Sequence, residues 1–154
     1  MADGRELNIV IGGEAGQGVQ TMGRLLSEAL AASGYSILVS QTYHSRIRGG
    51  HNTYAIRCGL TPPPAPKRTI DLLVALNEET VQRHRPELSS RGLLIGDQAT
   101  VSNSKNDIIV PFSTLAGKKM ENTVALGVVG ALIGVDRTLL LSLLEKSFAK
   151  KDET

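Results

Sequence analysis

Apolar positions along this chain fall in short runs whose spacing switches between the two-residue period of a strand and the three-to-four-residue period of a helix. Leu7 to Ile11 is a compact β-branched run that ends in Gly12-Gly13-Glu14-Ala15-Gly16-Gln17-Gly18. Met22, Leu25, Leu26, Ala29 and Leu30 then form one helical stripe, and Gly34 stands where a C-terminal cap belongs. Strand, glycine-rich turn and helix in this order open an α/β fold. Ser36 to Val39, continuing to Thr42, predicts a second strand, and Thr53 to Cys58 a third. No helix lies between them, so antiparallel or mixed pairing is expected rather than a crossover. Ile70 to Leu76 predicts a buried strand, and Asn77-Glu78-Glu79 opens a short helix toward His84 that Pro86 stops. Gly92 to Gly96 and Ile108 to Phe112 predict two further strands. Asn122 or Thr123 caps a helix to about Ile133, and Asp136 caps a last one to about Phe148 with Leu139, Leu140, Leu143 and Leu144 on one face. Six strands and four helices predict a three-layer α/β/α, Rossmann-like domain with a mixed, mostly parallel sheet. It is expected as one unit over residues 1–154 with its core at about 7–148.

Two polar segments interrupt this pattern. Gln41 to Asn52 packs Arg46 and Arg48, His44 and His51, and the pair Gly49-Gly50 between apolar runs, so it is expected on a loop outside the core. A guanidinium offers a planar fork of donors and glycine admits close backbone approach, which suits anion binding; a solvated turn is the alternative. The Gly13–Gly18 stretch is a turn whose N–H groups, with the following helix N-terminus, can hold an anion, or a turn kept for packing. Its spacing is not the dinucleotide fingerprint, and Ser40 and Gln41 stand where a ribose-binding carboxylate would end the second strand. Thr61 to Arg68, rich in proline, predicts an exposed surface connection.

Composition narrows the chemistry. The net charge of +2 over 154 residues, with five aromatics and no Trp, argues against nucleic-acid binding. Cys58 is the only cysteine, which excludes an internal disulfide and any iron–sulfur or zinc site built from this chain's thiolates, and makes a reducing, cytoplasmic setting the expectation. The longest apolar stretch, Val124 to Val135, is too short and glycine-interrupted for a membrane span. Asp71, Asp97, Asp107 and Asp136 stand at element ends as caps or turn residues, His84 is expected in solvent, and Ser27, Ser33, Ser45 and Ser113 have no nucleophile-elbow context. The chain lacks a self-contained catalytic set and reads as part of a site.

Gly13-Glu14-Ala15-Gly16-Gln17-Gly18 opening a helix, followed by Tyr43-His44-Ser45-Arg46-Ile47-Arg48-Gly49-Gly50-His51-Asn52, resembles the gamma subunit or gamma domain of the 2-oxoacid:ferredoxin oxidoreductases. Asp71 to Asn77 and Asn122 to Gly127 look like further landmarks in the same order. Ser45 to Asn52 looks more like the form in 2-oxoglutarate-type enzymes than like the pyruvate or indolepyruvate forms. The resemblance implies a multi-subunit enzyme that converts a 2-oxoacid and coenzyme A to acyl-CoA and carbon dioxide. Thiamine diphosphate and iron–sulfur clusters are then expected on alpha, beta and ferredoxin-like delta partners, with ferredoxin as electron acceptor. This chain would bind neither group, and coenzyme A is the expected ligand at a composite site.

The site residues assigned on this basis are Gly16, Gln17, Gly18, Arg46, Arg48, Gly49, Gly50, His51 and Asn52, with no catalytic residue or metal ligand in this chain alone. Arg46 and Arg48 would engage a carboxylate or the phosphates of coenzyme A, and His51 and Asn52 an acyl or thiol group. The first and second strands, as parallel neighbours, would bring both segments to one sheet edge. Two alternatives are an assembly module that docks through the Arg-Gly-Gly segment and a free-standing anion- or nucleotide-binding protein.

Overall fold

The computed structural model describes residues 6–43, 50–101, 107–117 and 120–152. Strand β1 (Leu7–Glu14) runs through the first apolar stretch and on across Gly12 and Gly13. Its alternating residues feed two cores, Ile9 and Ile11 on one side of the sheet and Val10 on the other. Helix α1 (Val19–Ala32) buries the expected stripe of Met22, Leu25, Leu26, Ala29 and Leu30 against the first core. Each of the Met and Leu side chains removed from water contributes roughly 1.5–3 kcal/mol. The helix ends as its spacing predicts, with Gly34 at φ +90° and the Tyr35 N–H donating back to the Leu30 carbonyl at 3.1 Å.

Strands β2 (Ser36–Tyr43) and β3 (His51–Gly59) pair antiparallel, with Tyr43 opposite Asn52 at the end of the ladder. The chain continues through β4 (Ile70–Ala75), α2 (Glu78–His84), a single 3-10 turn (Arg85–Glu87), β5 (Leu88–Gly96) and β6 (Asp107–Ile109). Helices α3 (Phe112–Ala116), α4 (Glu121–Ile133) and α5 (Arg137–Asp152) follow. The six strands make one mixed sheet in the order β2-β3-β1-β4-β5-β6, with β1, β4, β5 and β6 parallel and β3 antiparallel to both its neighbours. Helix α1 lies on β1, β2 and β3 with α4 and α5 packed on it, while α2 covers β1 and β4 from the other face.

Several expectations are corrected. β1 and β2 are not neighbours, because β3 is inserted between them; the ends of β1 and β2 nevertheless lie at one edge with the start of β3, which runs antiparallel to both. His51 and Asn52 belong to β3 rather than to a loop, and both are buried. Phe112 is not a strand residue but opens α3, because Pro111 has no N–H for the ladder and the apolar ring turns into the core. Neither Asn122 nor Thr123 caps α4, whose cap position is Met120. Asp136 does cap α5, its Oδ1 accepting the Leu139 N–H at 2.9 Å. Thr61 to Arg68 is exposed except for Pro63, and is tied down by Asn8, whose Nδ2 donates to the Lys67 and Thr69 carbonyls at 2.9 Å each. Asn8→Leu is expected to leave those carbonyls without a buried donor and to cost about 1–3 kcal/mol, read by denaturant unfolding.

Candidate functional site

The glycine turn is built from its own backbone. Gly16 and Gly18 sit at φ +102° and +81°, in the left-handed region that side chains resist. Between them, the Gln17 N–H donates to the Glu14 carbonyl at 3.0 Å. The Gln17 side chain then spans two strands, its Oε1 accepting the Glu14 N–H at 2.6 Å and its Nε2 donating to the Leu76 carbonyl at 3.1 Å. Both ends of that amide are thus committed to the backbone, and Gln17 shapes the turn. Gly18 is the cap residue of α1 and brings no side-chain cap, and no acidic residue occupies the first turn. The opening N–H groups of α1 therefore have no side-chain cap at Gly18, and the positive end of the helix dipole stands behind them. A Cβ on Gly18 would stand 2.2 Å from the Asn122 Nδ2, so the first turn of α4 lies directly against this loop.

The second segment meets the first where β1 and β3 pair, Gly13 opposite Asn52 and Glu14 opposite His51, and just beyond that ladder the Ala15 N–H donates to the Gly50 carbonyl at 3.0 Å. Gly16, Gln17, Gly18, Gly50, His51 and Asn52 are thereby gathered at one edge of the sheet. Arg46, Arg48 and Gly49 lie outside the described residues. Successive strand residues face opposite sides, which divides the last pair. Asn52 is opposite Gly13 and Tyr43 on the α1 side, whereas His51 faces α2. The two side chains do not converge on one group.

On the α1 side, the Asn52 Oδ1 and the Gln20 Nε2 are buried with no hydrogen-bond partner among the described residues. A buried polar atom left in that state costs about 1–3 kcal/mol. The Gln20 Oε1 accepts from the Tyr43 hydroxyl at 3.0 Å, joining the first turn of α1 to the end of β2. Gln20, Thr21, Arg24, Gln41 and Tyr54 line an open pocket of about 210 Å³ on this side.

On the α2 side the sequence reading missed the partners. His84 is not in solvent: its Nε2 lies 2.9 Å from the Nε2 of His51, the rings stack with centroids 5.1 Å apart, and its Nδ1 lies 2.7 Å from the Glu87 Oε2. Asn77 places it there by capping α2, its Oδ1 accepting the Thr80 N–H at 3.0 Å. Asn77, Val81 and His84 stand at helical spacing on the inward face, a signal the chain does carry. The hydrogen bond and charge of His84, with Arg68 beside it, hold the Glu87 carboxyl below its usual range. A depressed carboxyl contributes stability above its unfolded pKa and loses it as pH falls through the folded value. Glu87→Gln should accordingly be less stable than the parent at neutral pH, with the gap closing in acid, as measured by urea unfolding across pH.

Cys58 is buried, and burial pushes its thiol up to about 11, which keeps it protonated and inert at neutral pH. The four aspartates are structural: Asp71 accepts the Asn8 N–H, Asp97 the N–H groups of Ala99 and Ser113, Asp107 pairs with Arg85, and Asp136 caps α5. Among the described residues no helix is long and apolar enough to cross a membrane.

Known proteins share both sequence and fold with this chain. It is 30% identical over 117 residues to subunit alpha of the 2-oxoacid:ferredoxin oxidoreductase 2 of Aeropyrum pernix, covering 76% of this chain but only 18% of that protein. It is 27% identical to the 2-oxoglutarate synthase subunit KorC of Archaeoglobus fulgidus over 97% of this chain and 82% of that one. Among solved structures, the 2-oxoglutarate:ferredoxin oxidoreductase of Magnetococcus marinus superposes with a TM-score of 0.86 at 23% identity, over 96% of this chain and 28% of that one. The gamma subunit of a keto/oxoacid ferredoxin oxidoreductase from Geobacter sulfurreducens does so at 0.76 and 22%, over 91% and 83%. These two establish a common fold. The pattern of the pyruvate ferredoxin/flavodoxin oxidoreductases matches residues 8–154, nearly the whole chain, and the chain belongs to that family.

Proposed function

We propose that this chain is the gamma component, a single unit along its whole length, of a multi-subunit 2-oxoacid:ferredoxin oxidoreductase that turns a 2-oxoacid and coenzyme A into acyl-CoA and carbon dioxide. Thiamine diphosphate and the iron–sulfur clusters belong, in this reading, to alpha, beta and delta-type partners in the cytoplasm, and ferredoxin takes the electrons. The observation that carries it is the Ala15–Gly50 hydrogen bond, which joins the glycine turn to the base of the Arg-Gly-Gly segment beside an uncapped helix N-terminus. The likeness to a 2-oxoglutarate synthase subunit, and to an enzyme solved with 2-oxoglutarate, coenzyme A and succinyl-CoA bound, supports the same direction.

The residues at this edge fit a coenzyme A moiety. Its phosphates suit the uncapped N–H groups at the start of α1, and the unpartnered Gln20 Nε2 and Asn52 Oδ1 suit its amides. Arg46 and Arg48, which enter from the sequence alone, would carry the charge of a carboxylate or phosphate. When bound, coenzyme A supplies the thiol that accepts the acyl group. The part of this chain is to hold and orient the anion; the proton and electron transfers are left to partners.

The tagged chain, recovered with its partners from native cells, is expected to give coenzyme A-dependent reduction of a viologen dye with 2-oxoglutarate or pyruvate. A single inactive band would remove the proposal. Arg48→Ala in the assembled enzyme should raise the KM for one anionic substrate by about tenfold, the loss of roughly 1.4 kcal/mol.

An assembly role is a second reading, favoured by one observation. Leu132, Leu141 and Phe148 on α4 and α5 are 48%, 47% and 41% exposed, and a helix apolar on all sides, as α4 is, is normally covered. Loss of complex formation with intact turnover per complex in Arg48→Ala would favour docking through the Arg-Gly-Gly segment.

A further inference from the structure

The paired imidazoles on the α2 side are not needed for anion binding at the glycine turn, and they carry a constraint of their own. Two Nε2 atoms 2.9 Å apart accommodate one hydrogen between them. With Glu87 ionised and holding a proton on the Nδ1 of His84, the neutral pair closes by the His51 Nε2–H donating to the His84 Nε2. One added proton still leaves a single hydrogen in the contact, because His51 then takes its Nδ1–H tautomer and accepts from His84. A second added proton places an N–H on both sides, and the contact becomes repulsive.

We propose that His51, His84 and Glu87 form a clasp that pins the start of β3 to α2, and so sets the glycine turn, and that it opens on uptake of a second proton. The link to the turn is short. His51 follows Gly50, and the Gly50 carbonyl is the acceptor for the Ala15 N–H. The charged groups facing the pair are few among the described residues. Glu14 is the cross-strand neighbour of His51 on the same side of the sheet. Arg83 borders the pocket that the two imidazoles share with Thr42 and Thr53, and is paired to Glu79 at 2.8 Å. Arg68 holds the other oxygen of Glu87 at 3.3 Å. Glu14 and Glu87 favour the first proton, and Arg83 disfavours the second. His84 and Glu87 are positioning residues here, acting through His51.

The test is a pH titration of the full chain, labelled at histidine and followed by two-bond nitrogen–proton NMR, with the Ala15 amide monitored in parallel. The expected result is two steps for the pair separated by about one pH unit or more, a change of His51 tautomer at the first, and movement of the Ala15 amide with the second. In His84→Gln, His51 should titrate in one step and the Ala15 amide should lose that response. In Glu87→Gln the first step should move to lower pH, because the imidazolium loses its carboxylate. Independent titration of the two histidines, or an Ala15 amide indifferent to the second step, overturns the proposal. Should His84→Gln fail to fold, the parent curve and Glu87→Gln decide between these outcomes.

Discussion

Gly23→Ala is expected to destabilise the chain by about 2 kcal/mol, although alanine is the better helix former. A Cβ at this position would lie 2.2 Å from the Cγ of Tyr54 and 2.3 Å from its Cδ1, atoms near the backbone of β3 that no rotation of a flexible tip can withdraw. Tyr54 is itself only 6% exposed, so α1 must rise off the sheet. For a chain of this length the cost corresponds to a fall in Tm of roughly 4–8 °C. Calorimetry checks it, and an unchanged or raised Tm would show that the ring gives way. Combining Gly23→Ala with Tyr54→Leu should recover most of the loss, since residues in contact couple. The functional arm follows from position: Gly23 is one turn into α1, and lifting α1 displaces the N–H groups proposed to hold the anion.

Gln17→Ala should cost about 1–3 kcal/mol and loosen the turn more than it destabilises the domain. The substitution removes the acceptor of the Glu14 N–H and the donor to the Leu76 carbonyl together. Gln17→Glu separates the two, since a carboxylate keeps the acceptor but sets a negative charge against the Leu76 oxygen. Faster hydrogen exchange at Glu14 and Ala15 is expected in both variants. In the assembled enzyme the KM for coenzyme A should rise by about tenfold for Gln17→Ala. Unchanged exchange would mean that Gly16 and Gly18 set the turn by themselves.

The parts of this fold that depend on near neighbours were legible in the chain. β1, the glycine turn and α1 follow from an apolar run, a glycine cluster and a single stripe, and the α5 cap from Asp136 three residues before its N–H partner. The Arg-Gly-Gly segment illustrates where such reading stops. Its polarity predicted a loop as far as Asn52, yet His51 is only 3% exposed, because its partner lies 33 residues away on α2. A buried imidazole is admissible once its nitrogen is paired, and nothing within the segment announces that pairing. Strand order was misread for the same reason. Which strand adjoins β1 is decided by how the β2–β3 hairpin docks, and the spacing inside each strand is silent on it. Of the assigned site residues within the described ones, Gly16, Gly18, Gly50 and Asn52 meet at one edge, Gln17 serves as a brace and His51 turns to the opposite face.

The hairpin has a kinetic consequence. β2 and β3 are consecutive in the chain, whereas β1 finds β3 some 51 residues away and β4 some 63 away, as the Leu7–Cys58 and Asn8–Asp71 contacts record. Local pairings close quickly and distant ones wait on loop-closure entropy, so a sheet whose middle strand has only remote partners is a slow one to finish. The hairpin that carries the Arg-Gly-Gly segment is thus the unit best placed to form early, and β1, which joins it to β4, waits on the longest closures in the sheet.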